Sequence, residues 1–258
     1  MTLNIGLGFD AMVLLQARYT RVFSGLDLLL FPELVDGGYA ALARDAAPHH
    51  AGDTFVDHFK TASKRFSLCC VAGSMHFAAD SLVSTNTSLA FYRGRLIHRY
   101  DKIHLFKPAA DHRYFHRGKS IRVFTVGGGA SRVKVGVVIC YDLRFPELIR
   151  SLAVQGMRLL IVPARWPRSR DDAWLTLLKA RAIENQVFVV GCNALGEEGG
   201  YSYAFDPLGA LVFSNRKKQG RFLHTFAIDL KRLQTARSLH NNLKDAVLLR
   251  QPASSFAL

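Results

Sequence analysis

Five short stretches of the chain are apolar almost without interruption: Leu26 to Phe31, Leu68 to Ser74, Arg132 to Ile139, Arg158 to Val162 and Val187 to Cys192. A strand with one wet face alternates apolar and polar residues, so unbroken runs of this length predict strands covered on both faces. Between them apolar positions recur with a helical period, which predicts helices over Asp10 to Phe23, Thr54 to Arg65, Pro146 to Gln155 and Asp171 to Glu184. The last of these opens with Asp171 and Asp172, where negative charge favours a helix start, and carries Trp174, Leu177, Leu178 and Ile183 on one face. Two antiparallel hairpins are expected, one from Asn86 to Tyr100 turning at Arg93-Gly94, the other from Tyr201 to Ser214 turning at Asp206-Pro207-Leu208-Gly209. Buried strands alternating with helices, together with hairpins, predict an α/β fold of two mixed sheets packed together with helices outside, rather than one doubly wound parallel sheet. No repeat, low-complexity tract or linker divides the chain, so residues 1–258 are read as a single domain.

Composition narrows the class. With 49% hydrophobic and 21% charged residues the chain is ordinary for a globular protein, and disordered, collagen-like and coiled-coil classes are excluded. No stretch reaches the roughly 18 apolar residues of a membrane span, and the N-terminal residues lack a basic leader region, so a cytoplasmic protein is expected. Cys69, Cys70, Cys140 and Cys192 are too few for a disulfide framework in a chain this long, and two are adjacent, which points to a reducing compartment. The charge is less ordinary: 34 Lys and Arg against 20 Asp and Glu leave +14. Nucleic acid, an anionic surface or an acidic small molecule would each suit such a balance, and so would a solvated basic surface with no partner.

Three places could carry chemistry. The run Val133 to Ile139 delivers Cys140 at the C-terminal end of a buried strand, followed by a polar turn, Tyr141-Asp142-Leu143-Arg144, and a helix. In open α/β sheets that strand end is where ligands collect, and a thiol there has backbone N–H groups beside it, although a cysteine after an apolar run is commonly just core. Leu28-Leu29-Leu30-Phe31-Pro32-Glu33 ends another apolar strand on a carboxylate, and Arg99-Tyr100-Asp101-Lys102-Ile103-His104 sets a lysine among apolar and aromatic residues. Alone, each reads equally as a loop acid or a surface lysine.

In the order Glu33, Lys102, Cys140, with these flanking residues, the chain resembles the nitrilase, or carbon–nitrogen hydrolase, superfamily over nearly its whole length. Further matching stretches are Asn86-Thr87-Ser88-Leu89, Lys179 to Gln186 and Asp206 to Gly209. The resemblance implies a four-layer α-β-β-α sandwich, a homodimer formed through the helices after Cys140 and Pro163, no cofactor and no metal. It implies Cys140 as nucleophile, Glu33 as general base and Lys102 as the positive charge for a tetrahedral oxyanion, helped by the Tyr141 N–H. These residue types make physical sense, since a thiol with a pKa near 8.5 needs a base or a cation to attack at neutral pH. Relatives carry a second glutamate after the lysine segment; here Asp111, one methylene shorter, takes that place. Within the superfamily the chain is most similar to the omega-amidase branch, through Cys140 to Pro146, Asp111-His112 and Pro163-Ala164-Arg165-Trp166-Pro167. That similarity implies a small amide substrate bearing a carboxylate, such as 2-oxoglutaramate or 2-oxosuccinamate, with Tyr39, Tyr141, Arg165 and Trp166 facing it. Arg165 or a neighbour in its basic loop, which also carries Arg168 and Arg170, is the candidate for the carboxylate, since a guanidinium binds that group bidentately. Other amidases of the superfamily, acting on deaminated glutathione, N-carbamoyl compounds or nitriles, are the alternative. Glu33 comes early compared with the family, which predicts an abbreviated first strand or following turn, and the likeness fades after Asp229.

Three rival readings have weaker support. Gly6-Leu7-Gly8-Phe9-Asp10-Ala11 fits a dinucleotide fingerprint but is preceded by very little strand. His98, His104, His112 and His116 lack acidic or thiol ligands at metal spacing. Basic tracts from Arg93 to Arg122 and Arg216 to Arg221, with Tyr100, Phe106, Tyr114 and Phe115 interleaved, would allow stacking on nucleic acid, but a solvated surface with a positive funnel to an anionic substrate site is expected instead.

Overall fold

A computed structural model describes residues 2–8, 23, 25–39, 51–80, 83–127, 132–217 and 223–247. Two mixed sheets form the body. The first contains β1 (Thr2–Gly8), β2 (Leu28–Leu30), β3 (Cys69–Val71), β4 (Met75–Asp80), β5 (Val83–Tyr92), β6 (Arg95–Asp101) and β13 (Leu223–Asp229). Its order is β13-β1-β2-β3-β5-β4, with β6 on β5, and β1, β2 and β3 run parallel. The second contains β7 (Phe124–Val126), β8 (Val133–Val137), β9 (Leu159–Ala164), β10 (Phe188–Asn193), β11 (Tyr203–Phe205) and β12 (Leu211–Ser214), in the order β12-β11-β10-β9-β8-β7 with β8, β9 and β10 parallel.

The unbroken apolar runs are explained by what covers each face. Leu28 and Leu30 of β2, with Cys69 and Val71 of β3, point into the core shared with the second sheet, while Leu29 and Cys70 point the other way. There they meet Phe55 and Phe59 of α1 (Ala51–Arg65). The second sheet is covered on its outer side by α3 (Pro146–Val154) and α4 (Asp171–Asn185), whose Ile149, Leu152, Trp174 and Leu178 join the same core. Helices, sheet, sheet and helices therefore stack in four layers, as expected. A short helix α2 (Asp111–Tyr114) lies near the site, and α5 (Lys231–Leu239) and α6 (Asn242–Asp245) close the described chain. Among the described residues no helix is long and apolar enough to cross a membrane.

The five predicted strands and both hairpins are present with shifted ends, as are the helices at Thr54, Pro146 and Asp171. The helix expected from Asp10 to Phe23 falls almost wholly outside the described residues. Strands β4, β7 and β13 were not among the expected ones. The first strand is not abbreviated: its seven residues all pair with β13. The turn after it lies outside the described residues. Gly6 and Gly8 are strand residues, and a Cβ on Gly6 would come within 2.8 Å of Leu26 Cδ1, so this glycine serves sheet packing rather than a phosphate turn. Tyr100 and Phe115 are core residues, 2% and 4% exposed, which removes them as stacking platforms. His98 lies against Phe124 and His104 against Phe145, with the His104 Nδ1 2.8 Å from Asp142 Oδ1.

Candidate active site

The parallel strands place their C-terminal ends on one side of the two-sheet body, and the singled-out residues sit at those ends. Glu33 follows β2, Cys140 follows β8, Arg165 and Trp166 follow β9, and Lys102 follows β6. Each is locally pinned. Ser74 returns to the Glu33 loop, its N–H donating to Pro32 O at 3.2 Å and its hydroxyl accepting from Leu34 N at 3.1 Å. That approach needs Gly73, whose φ is +58° and where a Cβ would lie 1.9 Å from Pro32 O. Lys102 is held by its N–H to Asn86 O and by its carbonyl, which accepts from Gly118 N, both at 2.9 Å.

Glu33, Lys102 and Asp111 are fully buried, side chain to side chain. Lys102 Nζ donates to Glu33 Oε1 at 2.8 Å and to Asp111 Oδ2 at 2.7 Å. Asn86 Nδ2 and the Tyr39 hydroxyl also donate to Glu33 Oε1, at 2.9 and 3.2 Å, and the Arg165 N–H donates to Oε2 at 3.0 Å. The Lys102 ammonium and these donors together satisfy the oxygens of the buried Glu33 side chain. The shorter Asp111 still reaches the lysine because it opens α2 directly after Ala110, which adopts a left-handed φ of 58°, and the Phe106 N–H holds the same Asp111 oxygen at 2.9 Å.

Cys140 also has a left-handed backbone, with φ of 48°, at the first residue of a 3-10 turn spanning Cys140–Arg144. Tyr141 is next, where first-turn N–H groups have no intrahelical acceptor. Burial pushes the Cys140 thiol well above its ordinary pKa, the neighbouring Glu33 carboxylate adds to this, and Lys102 opposes it. The resting group is therefore a neutral thiol beside the Glu33 carboxylate, its Sγ 3.9 Å from Arg165 O. Burial works against the Lys102 charge, but Glu33, Tyr39, Cys140 and Asp111 outweigh it and raise the ammonium's pKa. Burial and Glu33 likewise keep Tyr39 protonated as a donor.

A cavity of about 220 Å³ opens over the thiol, lined by Tyr39, Phe106, Tyr141, Arg144, Trp166 and Arg170 among others. A thiol, a carboxylate and an ammonium thus converge at its base. Residues 9–238 match the carbon–nitrogen hydrolase family model. The chain belongs to the carbon–nitrogen hydrolase family. It is 36% identical over 199 residues, three quarters of each chain, to a 2-oxoglutaramate amidase of Bacillus subtilis (strain 168). It is 35% identical over 201 residues, covering 76% of this chain and 75% of the other, to the omega-amidase YafV of Escherichia coli (strain K12). Among solved structures, XC1258 from Xanthomonas campestris, a CN-hydrolase superfamily protein, superposes with a TM-score of 0.78 at 26% identity, covering 100% of this chain and 99% of that one.

In this carbon–nitrogen hydrolase several groups that sequence reasoning passed over hold the site together. Asp142 is the hub of the Cys140–Arg144 turn: it accepts from Tyr100 Oη at 2.7 Å, Ile139 N at 3.0 Å and both the N–H and ring nitrogen of His104 at 2.8 Å. Asn193, at the end of β10, accepts from Trp166 N and donates to Trp166 O, both at 2.8 Å. Arg165 lines the cavity but its guanidinium is engaged: Nε donates to Glu33 O at 2.9 Å, Nη2 to Leu34 O at 2.8 Å and Nη1 to Glu198 Oε2 at 3.0 Å. It buttresses the loop that carries Glu33, which the basic loop Arg165, Arg168, Arg170 could not reveal as sequence. The guanidinium of Arg144 lies over Trp166 and that of Arg170 over Phe106. Neither makes an ion pair among the described residues.

Proposed function

We propose that this carbon–nitrogen hydrolase is an omega-amidase, releasing ammonia from the terminal amide of a small oxo acid such as 2-oxoglutaramate or 2-oxosuccinamate. The observation that carries the chemistry is the Cys140 thiol beside a buried Glu33–Lys102 pair. Glu33 takes the thiol proton as Cys140 Sγ bonds to the amide carbon, and Lys102 Nζ with the Tyr141 N–H stabilises the oxyanion. Glu33 returns that proton to the nitrogen as the C–N bond breaks, ammonia leaves, and a thioester remains. Water then gives a proton to Glu33 and bonds to the thioester carbon; the C–S bond breaks, the proton returns to sulfur, and the acid departs. Asp111 orients Lys102 through its 2.7 Å hydrogen bond.

Small substrates suit a cavity of about 220 Å³, below the usual range for drug-sized ligands. The names of the relatives from Bacillus subtilis and Escherichia coli support the same class. For the substrate carboxylate, Arg144 and Arg170 are better placed than Arg165, because they line the cavity and no acid among the described residues pairs with them. Tyr39, Tyr141 and Trp166 would shape the remaining wall. Dimerisation through α3 and α4 is consistent with apolar side chains left open there, Val154 at 56% and Ile183 at 42% exposure. Four free buried thiols accord with a reducing, cytoplasmic setting.

The test is ammonia release across 2-oxoglutaramate, 2-oxosuccinamate, deaminated glutathione, N-carbamoyl compounds and nitriles, with Cys140→Ala as the blank. The highest kcat/KM is expected for the short oxo-acid amides. Preference for deaminated glutathione or a nitrile would overturn the substrate assignment, and ammonia release by Cys140→Ala would overturn the mechanism.

A further inference from the structure

The +14 charge is not absorbed by the active site, and part of it gathers in a second cavity. At the N-terminal ends of the parallel strands β8 and β9, Arg132, the residue before β8, and Arg158, the residue before β9, both line this cavity. Lys231 and Arg237 of α5 face them, and Gln234 with Leu230 and Leu233 completes a cleft of about 320 Å³. The extended stretch from Val133 to Cys140 spans about 20 Å at the rise of a strand, so this cleft is remote from the nucleophile.

Among the described residues four cations line it, no carboxylate does, and none of the four makes an ion pair. The nearest acid along the chain, Asp229, accepts from the Lys231 N–H at 3.0 Å and is not part of the lining. Arg237 is half-buried, and its Nη2 is shut away from solvent with no hydrogen-bond acceptor. Burial and the charge of Arg158 both act against the Arg237 cation. Like charges gathered in a partly desolvated cleft repel one another, and a buried guanidinium N–H without an acceptor costs free energy, so the arrangement is short of one multiply charged acceptor.

We propose that this cleft is a binding site for a phosphate-bearing anion carrying at least two negative charges, a diphosphate group being the best match. Arginine forks pair bidentately with phosphate oxygens, and two arginines from strand starts opposed to a third on a helix can grip such a group from two sides. A single carboxylate would balance only one of four charges.

Calorimetric titration of the full chain with pyrophosphate, orthophosphate and ATP, at ionic strength held constant with sodium chloride, tests this. Saturable binding of one pyrophosphate per chain is expected, weaker binding of orthophosphate, and a loss of at least about tenfold in affinity in Arg158→Gln/Arg237→Gln with amidase kcat unchanged. Tighter binding of ATP than of pyrophosphate would identify the source as a nucleotide, equal binding as the phosphates alone. Arg132→Gln alters only an exposed side chain, so its expected loss of affinity reads the site even where the double variant does not fold. Affinity unchanged in Arg132→Gln, or heats no different from those of sodium chloride, would overturn the proposal.

Discussion

A thiol that shares a closed space with a carboxylate gives up its proton less readily than one beside a cation alone. Cys140 has both neighbours, with burial and Glu33 raising its pKa and Lys102 lowering it. Glu33→Gln therefore separates two properties that usually move together. Removing the negative charge takes away a cause that holds the thiol protonated, so cysteine ionisation, followed by the pH dependence of iodoacetamide alkylation, is expected to shift to lower pH. Ammonia release is expected to fall by at least about a hundredfold, because the base that moves the proton is gone. If the alkylation profile moves to higher pH, Glu33 is not the neighbour that controls the thiol. The two arginines divide in the same way. Arg165→Ala unties Glu33 O, Leu34 O and Glu198, so a lower kcat and a lower melting temperature are expected with every amide, charged or neutral. Arg144→Ala is expected to raise KM about tenfold or more for carboxylate-bearing amides and little for neutral ones, measured as paired kcat and KM values.

At the scale of elements, the site depends on a turn that is strained at its first residue and tied at its third. A left-handed cysteine costs on the order of 1 kcal/mol, and Asp142 holds it there through four donors drawn from Tyr100, Ile139 and His104. Asp142→Asn turns one acceptor into a donor facing another donor. A destabilisation of about 1–3 kcal/mol in denaturant unfolding is expected, with kcat lowered more than KM is raised. What was legible in the sequence follows from the same physics. Runs such as Leu28-Leu29-Leu30 and Leu159-Leu160-Ile161-Val162 announce strands because both faces are buried, and Glu33 and Cys140 were readable because each ends such a run. Strand β13, by contrast, is wet on one side in the irregular alternation Leu223-His224-Thr225-Phe226, and β4 carries His76 and Asp80. Neither offers an unbroken run. Asp142, Asn193 and Arg165 act through hydrogen bonds between residues distant in sequence, 132 positions for Arg165 to Glu33, and no local pattern encodes such a partner.

For the whole molecule, two sheets bring four loop regions to one side while the outer helices leave apolar residues open on the other faces. Val154 and Ile183, on α3 and α4, stay 56% and 42% exposed in the single chain, and a second copy would cover them in the dimer proposed above. Sedimentation velocity is expected to give a dimer for the wild type and a monomer for Ile183→Asp/Val154→Asp; a monomeric wild type would remove the assignment. The basic cleft at the N-terminal ends of β8 and β9 is a separate proposal, so loss of phosphate binding would leave the amidase assignment untouched. The hydrolytic account itself is tested most directly by intact-protein mass spectrometry of enzyme quenched with acid during turnover of 2-oxoglutaramate. The account predicts a covalent adduct equal in mass to the substrate less ammonia, mapped to Cys140 and absent from Cys140→Ala. Turnover with no such adduct at any quench time, or an adduct on Cys69, Cys70 or Cys192, would contradict it.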